Sequence, residues 1–294
     1  MYRYQYSSAA DLIKTANENN IRISDVALLH EAERDEVDAQ AVVQKMRTAY
    51  TVMKTNIQSG VVSTQPSIGG LIGRNAAAMN RYMQAGNTFG GPLLCRAITY
   101  ALAITEENAR MKRIVACPTA GASGVVPGCL IAAGEERGFL ETDLIDALFN
   151  ASAIGVVIAN NATISGAEGG CQAEVGSASA MAASALTQMG GGSVEACVHA
   201  AAIALKNILG LVCDPVAGLV EVPCSKRNAI GVANAIAAAD MALAGITSMI
   251  PFDEVVHAMK EVGCSMNREL RETAKGGVAA SKTAREFVSK MRKP

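Results

Sequence analysis

Between residues 151 and 250 the chain almost stops carrying charge. Only nine residues there are acidic or basic: Glu168, Glu174, Glu195, Lys206, Asp214, Glu221, Lys226, Arg227 and Asp240. The rest is largely Ala, Gly, Ser and short aliphatics, in a 294-residue chain with 27 Gly, no Trp and 4% aromatic residues. A stretch this poor in charge reads as core, because a buried charge demands a partner. Side chains this short suit closely approaching helix axes. The expected fold class is therefore all-α, an Ala/Gly-rich helical domain. Gln172–Met189, Ser193–Leu209 and Arg227–Ile246 read as long helices separated by glycine turns.

Around that core the signals are mostly helical too. Ser24 is placed to cap a helix reaching about Glu36, and Asp38–Ile57 carries apolar residues at helical spacing. Ser59–Gly73 is a Gly/Ser-rich break with Pro66 inside it. Helices resume at Asn75–Gln84 and from Leu93 to about Met111. Arg113–Cys117 is β-branched enough to look like a short strand. A loop with glycines and hydroxyls, Pro118–Pro127, precedes a helix to about Glu136, and Thr142 reads as the cap of the next helix. Pro251 opens another. The chain thus divides into an N-terminal helical arm, 1–60, and a helical main region, 61–294, within one structural domain.

Composition narrows the function classes. A formal net charge of −1 gives no electrostatic case for nucleic acid or an anionic membrane. The most membrane-like run, Ala229–Ile250, contains Asn234 and Asp240 and reads as a buried helix. Met1–Ser7 has no apolar stretch behind it and does not resemble a signal peptide. Eight cysteines without a secretion signal suit a reducing, cytoplasmic setting, where a thiol is core filler, nucleophile or metal ligand.

Three cysteines stand apart from filler. Cys171 follows a double glycine in Ser165-Gly-Ala-Glu-Gly-Gly-Cys-Gln-Ala-Glu-Val-Gly176, and Cys213 and Cys224 bracket Cys213-Asp-Pro-Val-Ala-Gly-Leu-Val-Glu-Val-Pro-Cys224. Glycine permits close backbone approach and proline fixes turns, which is what aiming a sulfur requires. Cys171 lies at an expected helix start, where the dipole favours thiolate. Three thiolates without a fourth would leave one metal position open. No His and no CxxC pair lies nearby to favour zinc, whereas a cluster short of one protein ligand would act as a Lewis acid. Cys95, Cys197 and Cys264 read as ordinary buried thiols, and Cys117 and Cys129 flank the Pro118–Pro127 loop.

Two further groups carry possible chemistry. The backbone N–H groups of the Pro118–Pro127 loop, with Thr119, Gly121, Ser123 and Gly124, could hold a carboxylate, and so could Arg227 by its two-pronged guanidinium. Among the charges beside the thiols, Glu168 and Lys226 are the candidate catalytic groups, since a desolvated amine titrates nearer neutrality. His30, His199 and His257 fall within helical patterns, so no general base stands out.

These motifs, with Arg227-Asn-Ala229, Arg271-Glu-Thr-Ala-Lys-Gly-Gly277 and Thr119–Pro127, closely resemble the iron–sulfur-dependent L-serine dehydratases, in particular the α subunit of the two-subunit bacterial form. The likeness covers roughly residues 66–280. It implies an all-helical catalytic domain and a [4Fe–4S] cluster held by Cys171, Cys213 and Cys224. It implies elimination of water from L-serine to give pyruvate and ammonia, and a separate β subunit with an ACT-like regulatory domain. A Ser-Ser-Ser-His-Thr motif of the family, with its histidine, belongs to that β part. One departure concerns the segment after Gly70-Leu71: relatives usually carry Thr-Gly-Gly-Asp, whereas this chain has Ile72-Gly-Arg-Asn75. Two rivals keep the cluster: a cysteine desulfidase, and a non-catalytic iron–sulfur subunit with Cys117, Cys129 or Cys264 as fourth ligand.

Overall fold

The computed structural model describes residues 3–291. Met1 and Tyr2, part of the N-terminal segment read above, and 292–294 lie outside the described residues. Among those described are thirteen α-helices and no β-strand. They are α1 Ala9–Asn19, α2 Ile23–Arg34, α3 Ala39–Gly60, α4 Asn75–Gln84, α5 Gly91–Ala109, α6 Val125–Arg137 and α7 Glu141–Asn161. A single turn, α8 Gly166–Gly169, leads to α9 Ser177–Met189, α10 Val194–Lys206, α11 Cys224–Leu243, α12 Phe252–Ser265 and α13 Lys282–Met291.

Helix α9 is the axis. It packs against α6, α7, α10 and α11 together. A helix surrounded on this many sides cannot be amphipathic, and nearly every residue of Ser-Ala-Ser-Ala-Met-Ala-Ala-Ser-Ala-Leu-Thr-Gln-Met is buried. Of its four hydroxyls, three are paired with protein groups and Ser177 Oγ is left without a partner among the described residues. Ser179 donates to the Gly231 carbonyl at 3.0 Å and Ser184 to Asn150 Oδ1 at 2.7 Å, while Asn234 donates to the Ser179 oxygen at 2.8 Å. The same small-residue logic sets the α5–α6 crossing, where the Cα of Gly128 lies against the Ala97 carbonyl and Ala101. The three N-terminal helices share this core, with Leu12, Ala16, Ile23, Val26, Tyr50, Met53 and Ile57 in its continuous apolar cluster.

Several local expectations are corrected. Helix α2 starts one residue before Ser24, and its first turn is closed by the Asp25 carboxylate accepting from the Arg22 N–H at 3.0 Å. Ser24 lies inside the helix, buried and bonded to Gln188. Thr142 is likewise inside α7, and Asp143 accepts from the Leu140 N–H at 2.8 Å. An acidic residue in the third helical position has taken over the capping role in both. The Arg113–Cys117 segment is irregular, with no strand beside it to complete a ladder; its Arg113 carbonyl instead accepts from Asn56 Nδ2 at 3.0 Å. Helix α11 begins at Cys224 rather than Arg227, which brings that cysteine into a helix N-terminus. By length and composition α7, not the Ala229–Ile250 run, is the one helix among the described residues apolar enough to cross a membrane. Its apolarity serves the interior, where it packs between α2 and α9.

A Cβ added at Gly128 would lie 2.9 Å from the Ala97 carbonyl oxygen and 3.1 Å from the Ala101 nitrogen, both backbone atoms. Gly128→Ala is therefore expected to cost about 1–3 kcal/mol by overpacking and to lower the melting temperature by several degrees. An unchanged melting temperature would show that α5 and α6 have room to separate.

Candidate active site

Three segments remote in sequence meet beside the start of α9. Cys171 precedes a π-helical turn, Gln172–Gly176, that runs directly into α9. Such wide turns insert one extra residue and re-aim side chains, often at functional sites. Cys224 is the first residue of α11. Cys213 lies in the irregular segment between α10 and α11, where its N–H donates to the Leu270 carbonyl at 2.8 Å and its carbonyl accepts from the Glu272 N–H at 2.7 Å. All three thiols are buried.

The three thiols act on one another electrostatically: Cys171 is raised by Cys224, and Cys213 by both. Burial, followed by the charge of Glu174, pushes Cys171 and Cys224 up to about 12. The same causes, with Cys171 and Glu272 added, push Cys213 up further. The helix N-terminus at Cys171 was expected to favour thiolate, but desolvation outweighs it. Among the described residues no three His, Cys, Asp or Glu are grouped closely enough to hold one metal ion. A single zinc, with sulfurs about 2.3 Å from the metal, is therefore not what this spacing suits. A multi-iron cluster takes each thiolate on a different iron and so accepts more widely spaced donors.

Glu174 stands in the middle of this arrangement. Its Oε1 accepts from the Thr119 hydroxyl at 2.7 Å and its Oε2 lies 3.7 Å from Cys213 Sγ. Burial raises its pKa, opposed by the Thr119 hydrogen bond. Two glycines lie directly against it. A Cβ on Gly121 would come within 2.9 Å of Oε1, and one on Gly166 within 2.6 Å of Oε2 and 2.9 Å of Cys213 Sγ.

The glycine loop before α6 is thereby brought to the thiols. Asn228 fastens it: its Oδ1 accepts from the Gly124 N–H at 3.0 Å, and its Nδ2 donates to the Gly121 carbonyl at 2.7 Å and the Cys224 carbonyl at 2.9 Å. Ser123, wholly buried, donates to the Ala120 carbonyl at 2.8 Å. The N–H groups of Gly121 and Ala122 have no protein acceptor among the described residues. Two carboxylates hold the Cys213–Cys224 segment. Asp214 pairs with Arg227 Nη2 at 2.8 Å and accepts from the Val278 N–H at 2.7 Å, while Arg227 Nη1 donates to the Val212 carbonyl at 2.6 Å. Glu221 accepts from the Ser67 hydroxyl at 2.6 Å, the Gly69 N–H at 2.8 Å and the Leu71 N–H at 3.0 Å.

The other candidates lie at the edges. Glu168 is exposed and accepts from the Thr163 hydroxyl at 2.5 Å. Lys226 is on the outer side of the first turn of α11, where partial burial lowers its pKa against the raising effect of Glu106. Neither is among the main charges acting on the three thiols, whereas Glu174, Glu272 and Arg227 are. Cys117 and Cys129 are raised by burial alone, without influence from the trio, and Cys264, expected above to be buried, is exposed on a cleft that also takes in Arg271 and Glu272. In the segment departing from the resembled pattern, the Asn75 N–H and Nδ2 both donate to Glu106 Oε1, at 2.7 and 2.8 Å. An Asp there would set two carboxylates together, so Asn is the residue this pocket accepts. Sequence reasoning had marked Glu174, Asp214 and Glu221 as charges needing partners without giving them roles. Asn228 and Glu272 gave no signal beyond lying in the motifs.

Two measurements check this geometry. Iodoacetamide on the native protein is expected to modify Cys264 alone of the eight cysteines, with all eight reacting after denaturation; native modification of Cys171, Cys213 or Cys224 would contradict their burial. Arg227→Met leaves Asp214, 2% exposed, without its cation and is expected to cost about 3 kcal/mol in urea unfolding. An unchanged midpoint would mean that the Val278 N–H alone suffices for Asp214.

Residues 18–279 match a family model described as serine dehydratase alpha chain. The chain is 50% identical over 286 residues to a probable L-serine dehydratase alpha chain of Bacillus subtilis, covering 97% of this chain and 95% of that protein. It is 45% identical over 281 residues to the L-serine dehydratase alpha chain of Peptoniphilus asaccharolyticus, covering 96% of each. It is also 38% identical over 290 residues to an L-serine dehydratase of Streptomyces coelicolor, covering 95% of this chain but 62% of that longer protein.

Proposed function

The chain belongs to the serine dehydratase alpha-chain family and is a lyase subunit, and on that premise we propose that it is the catalytic α subunit of an iron–sulfur-dependent L-serine dehydratase. The observation that carries this reading is that three buried thiols from three segments lie near enough to act on one another and on a single shared carboxylate, Glu174. The donor set fits a [4Fe–4S] cluster held by Cys171, Cys213 and Cys224: three soft, buried ligands, with Gly166 where any side chain would collide with a sulfur. Such a cluster, when bound through three thiolates, supplies a Lewis acid that makes hydroxide a workable leaving group.

The chain's own residues position the substrate. The free N–H groups of Gly121 and Ala122, in the loop fixed by Thr119, Ser123 and Gly124, donate to its polar groups. Arg227 holds the Cys213 segment through Val212 and Asp214 and adds positive potential beside the thiols. Glu168 and Lys226 are the candidate proton-handling groups on the flanks of the site. Loss of the Cα proton and the β-hydroxyl group releases water and gives aminoacrylate. Aminoacrylate tautomerises to the imine, and a second water hydrolyses it to pyruvate and ammonia. A β subunit with an ACT-like regulatory domain completes the cytoplasmic enzyme, consistent with relatives in which this region is part of a longer chain.

Protein purified anaerobically with its second subunit tests the reading. Cys171→Ser, Cys213→Ser and Cys224→Ser are each expected to lose most bound iron and at least about 100-fold of pyruvate formation from L-serine, with Cys264→Ser unaffected. Assays on D-serine, L-threonine and L-cysteine define the substrate class, with sulfide release from L-cysteine marking the desulfidase alternative. Full iron and full activity in the three variants would end the proposal.

A further inference from the structure

Beside the thiols, on the side of Glu272, is a polar cleft of about 640 Å³ lined by Thr163, Glu168, Lys260, Arg271 and Glu272 among others. Arg271 is its most constrained residue. Its backbone forms a parallel bridge with Cys213, closed on both sides by hydrogen bonds of 2.8 and 2.7 Å. The position of Arg271 is therefore set by the residue that carries one of the sulfurs.

Its side chain, by contrast, is under-used. Arg271 Nε is buried without a hydrogen-bond partner, and the only other contact of the guanidinium is a long one, 3.4 Å, from Nη1 to the Glu168 carbonyl. Among the described residues it has no carboxylate within 4.0 Å, and neither have Lys260 and Arg268 on the same cleft. A buried guanidinium N–H left unpaired is costly unless something arrives to accept from it. Arg227, the other arginine near the thiols, is already committed to Asp214 and the Val212 carbonyl.

The cleft also carries two carboxylates. Glu168 is turned to Thr163, and Glu272 faces the thiols closely enough to act on Cys213 and Cys224. A guanidinium fork and two carboxylates on one cleft match a zwitterion, an α-carboxylate and an α-ammonium on one carbon.

We propose that Arg271 grips the α-carboxylate of an α-amino acid substrate in this cleft, with Glu168 and Glu272 receiving its ammonium group. The inference rests on the dehydratase reading for the reaction but not for the binding. It assigns the carboxylate to Arg271 and leaves the Gly121–Ala122 N–H groups for the substrate's other oxygen.

The test is calorimetric binding to iron-loaded protein, alongside kinetics. Wild type is expected to bind L-serine at least about 10-fold more tightly than L-serine methyl ester, which lacks the carboxylate. Arg271→Gln is expected to weaken L-serine binding and raise KM about 10- to 100-fold, with iron content and melting temperature near wild type, and to bind acid and ester alike. Arg271→Lys, keeping charge without the fork, should fall between. Arg137→Gln, at an exposed position outside this cleft, should change binding by less than about 3-fold. Equal affinity of wild type for acid and ester overturns the proposal, and this needs no variant to fold. So does an Arg271→Gln protein that discriminates as wild type does. Arg271-dependent binding of L-serine without pyruvate formation would keep the site and sink the dehydratase reading; turnover untouched by Arg271→Gln would do the reverse.

Discussion

The carboxylate of Glu174 is the group around which the site is arranged. It is carried on a wide turn that follows Cys171, it touches the Cys213 sulfur, and it is held by the Thr119 hydroxyl. One side chain therefore contacts two of the segments that must meet and fixes where the glycine loop ends. The glycines of those segments follow as steric consequences, because the Glu174 oxygens occupy the space that side chains at positions 121 and 166 would need. Removing Glu174 from water is unfavourable, and the raised pKa registers that cost. The surroundings repay it in position rather than in stability.

The segment from Cys213 to Cys224 has almost no regular structure, so its shape cannot come from a helix or a ladder. It comes from side-chain carboxylates. Asp214 at one end reaches the Val278 N–H and Arg227, and Glu221 at the other reaches Ser67, Gly69 and Leu71. Both are nearly inaccessible, at 2% and 3% exposure. Hydrogen bonds from N–H groups to ionised acceptors are short and directional, which suits them to fixing loops that carry metal-binding thiols. The same device recurs at Glu106, whose Oε1 takes two donors from Asn75. In this light the replacement of an acidic residue by Asn75 is a local fit to a neighbouring carboxylate.

The helical architecture was legible because the pattern that encodes it is dense. Long runs of Ala, Gly and Ser with few charges leave little alternative to close-packed helices, and Asn75–Gln84 was placed to the residue. What failed were decisions between neighbouring residues of similar chemistry. Ser24 and Thr142 are good caps in isolation, but Asp25 and Asp143 reach back to close their helices one or two positions earlier. The Arg113–Cys117 strand was a propensity without a partner. A strand exists only where another can pair with it, and tertiary context supplied an asparagine side chain instead.

The site was legible in its sulfurs and opaque in its supports, for a reason of range. A cysteine beside glycine, proline and carboxylate announces its use within a few residues. The partners of those carboxylates lie far away in sequence: Glu221 is 150 to 154 residues from the groups it holds, and Asp214 is 64 from Val278. Arg271 is the extreme case. In the chain it opens the motif Arg271-Glu-Thr-Ala-Lys-Gly-Gly277, but nothing local says what its guanidinium would hold. Its difference arises only when Leu270 and Glu272 close a bridge on Cys213, which buries the Arg271 Nε at the cleft while Arg268, on the same cleft, stays exposed. Two hydrogen bonds separate an ordinary surface charge from a candidate for substrate recognition, and neither is written in local sequence.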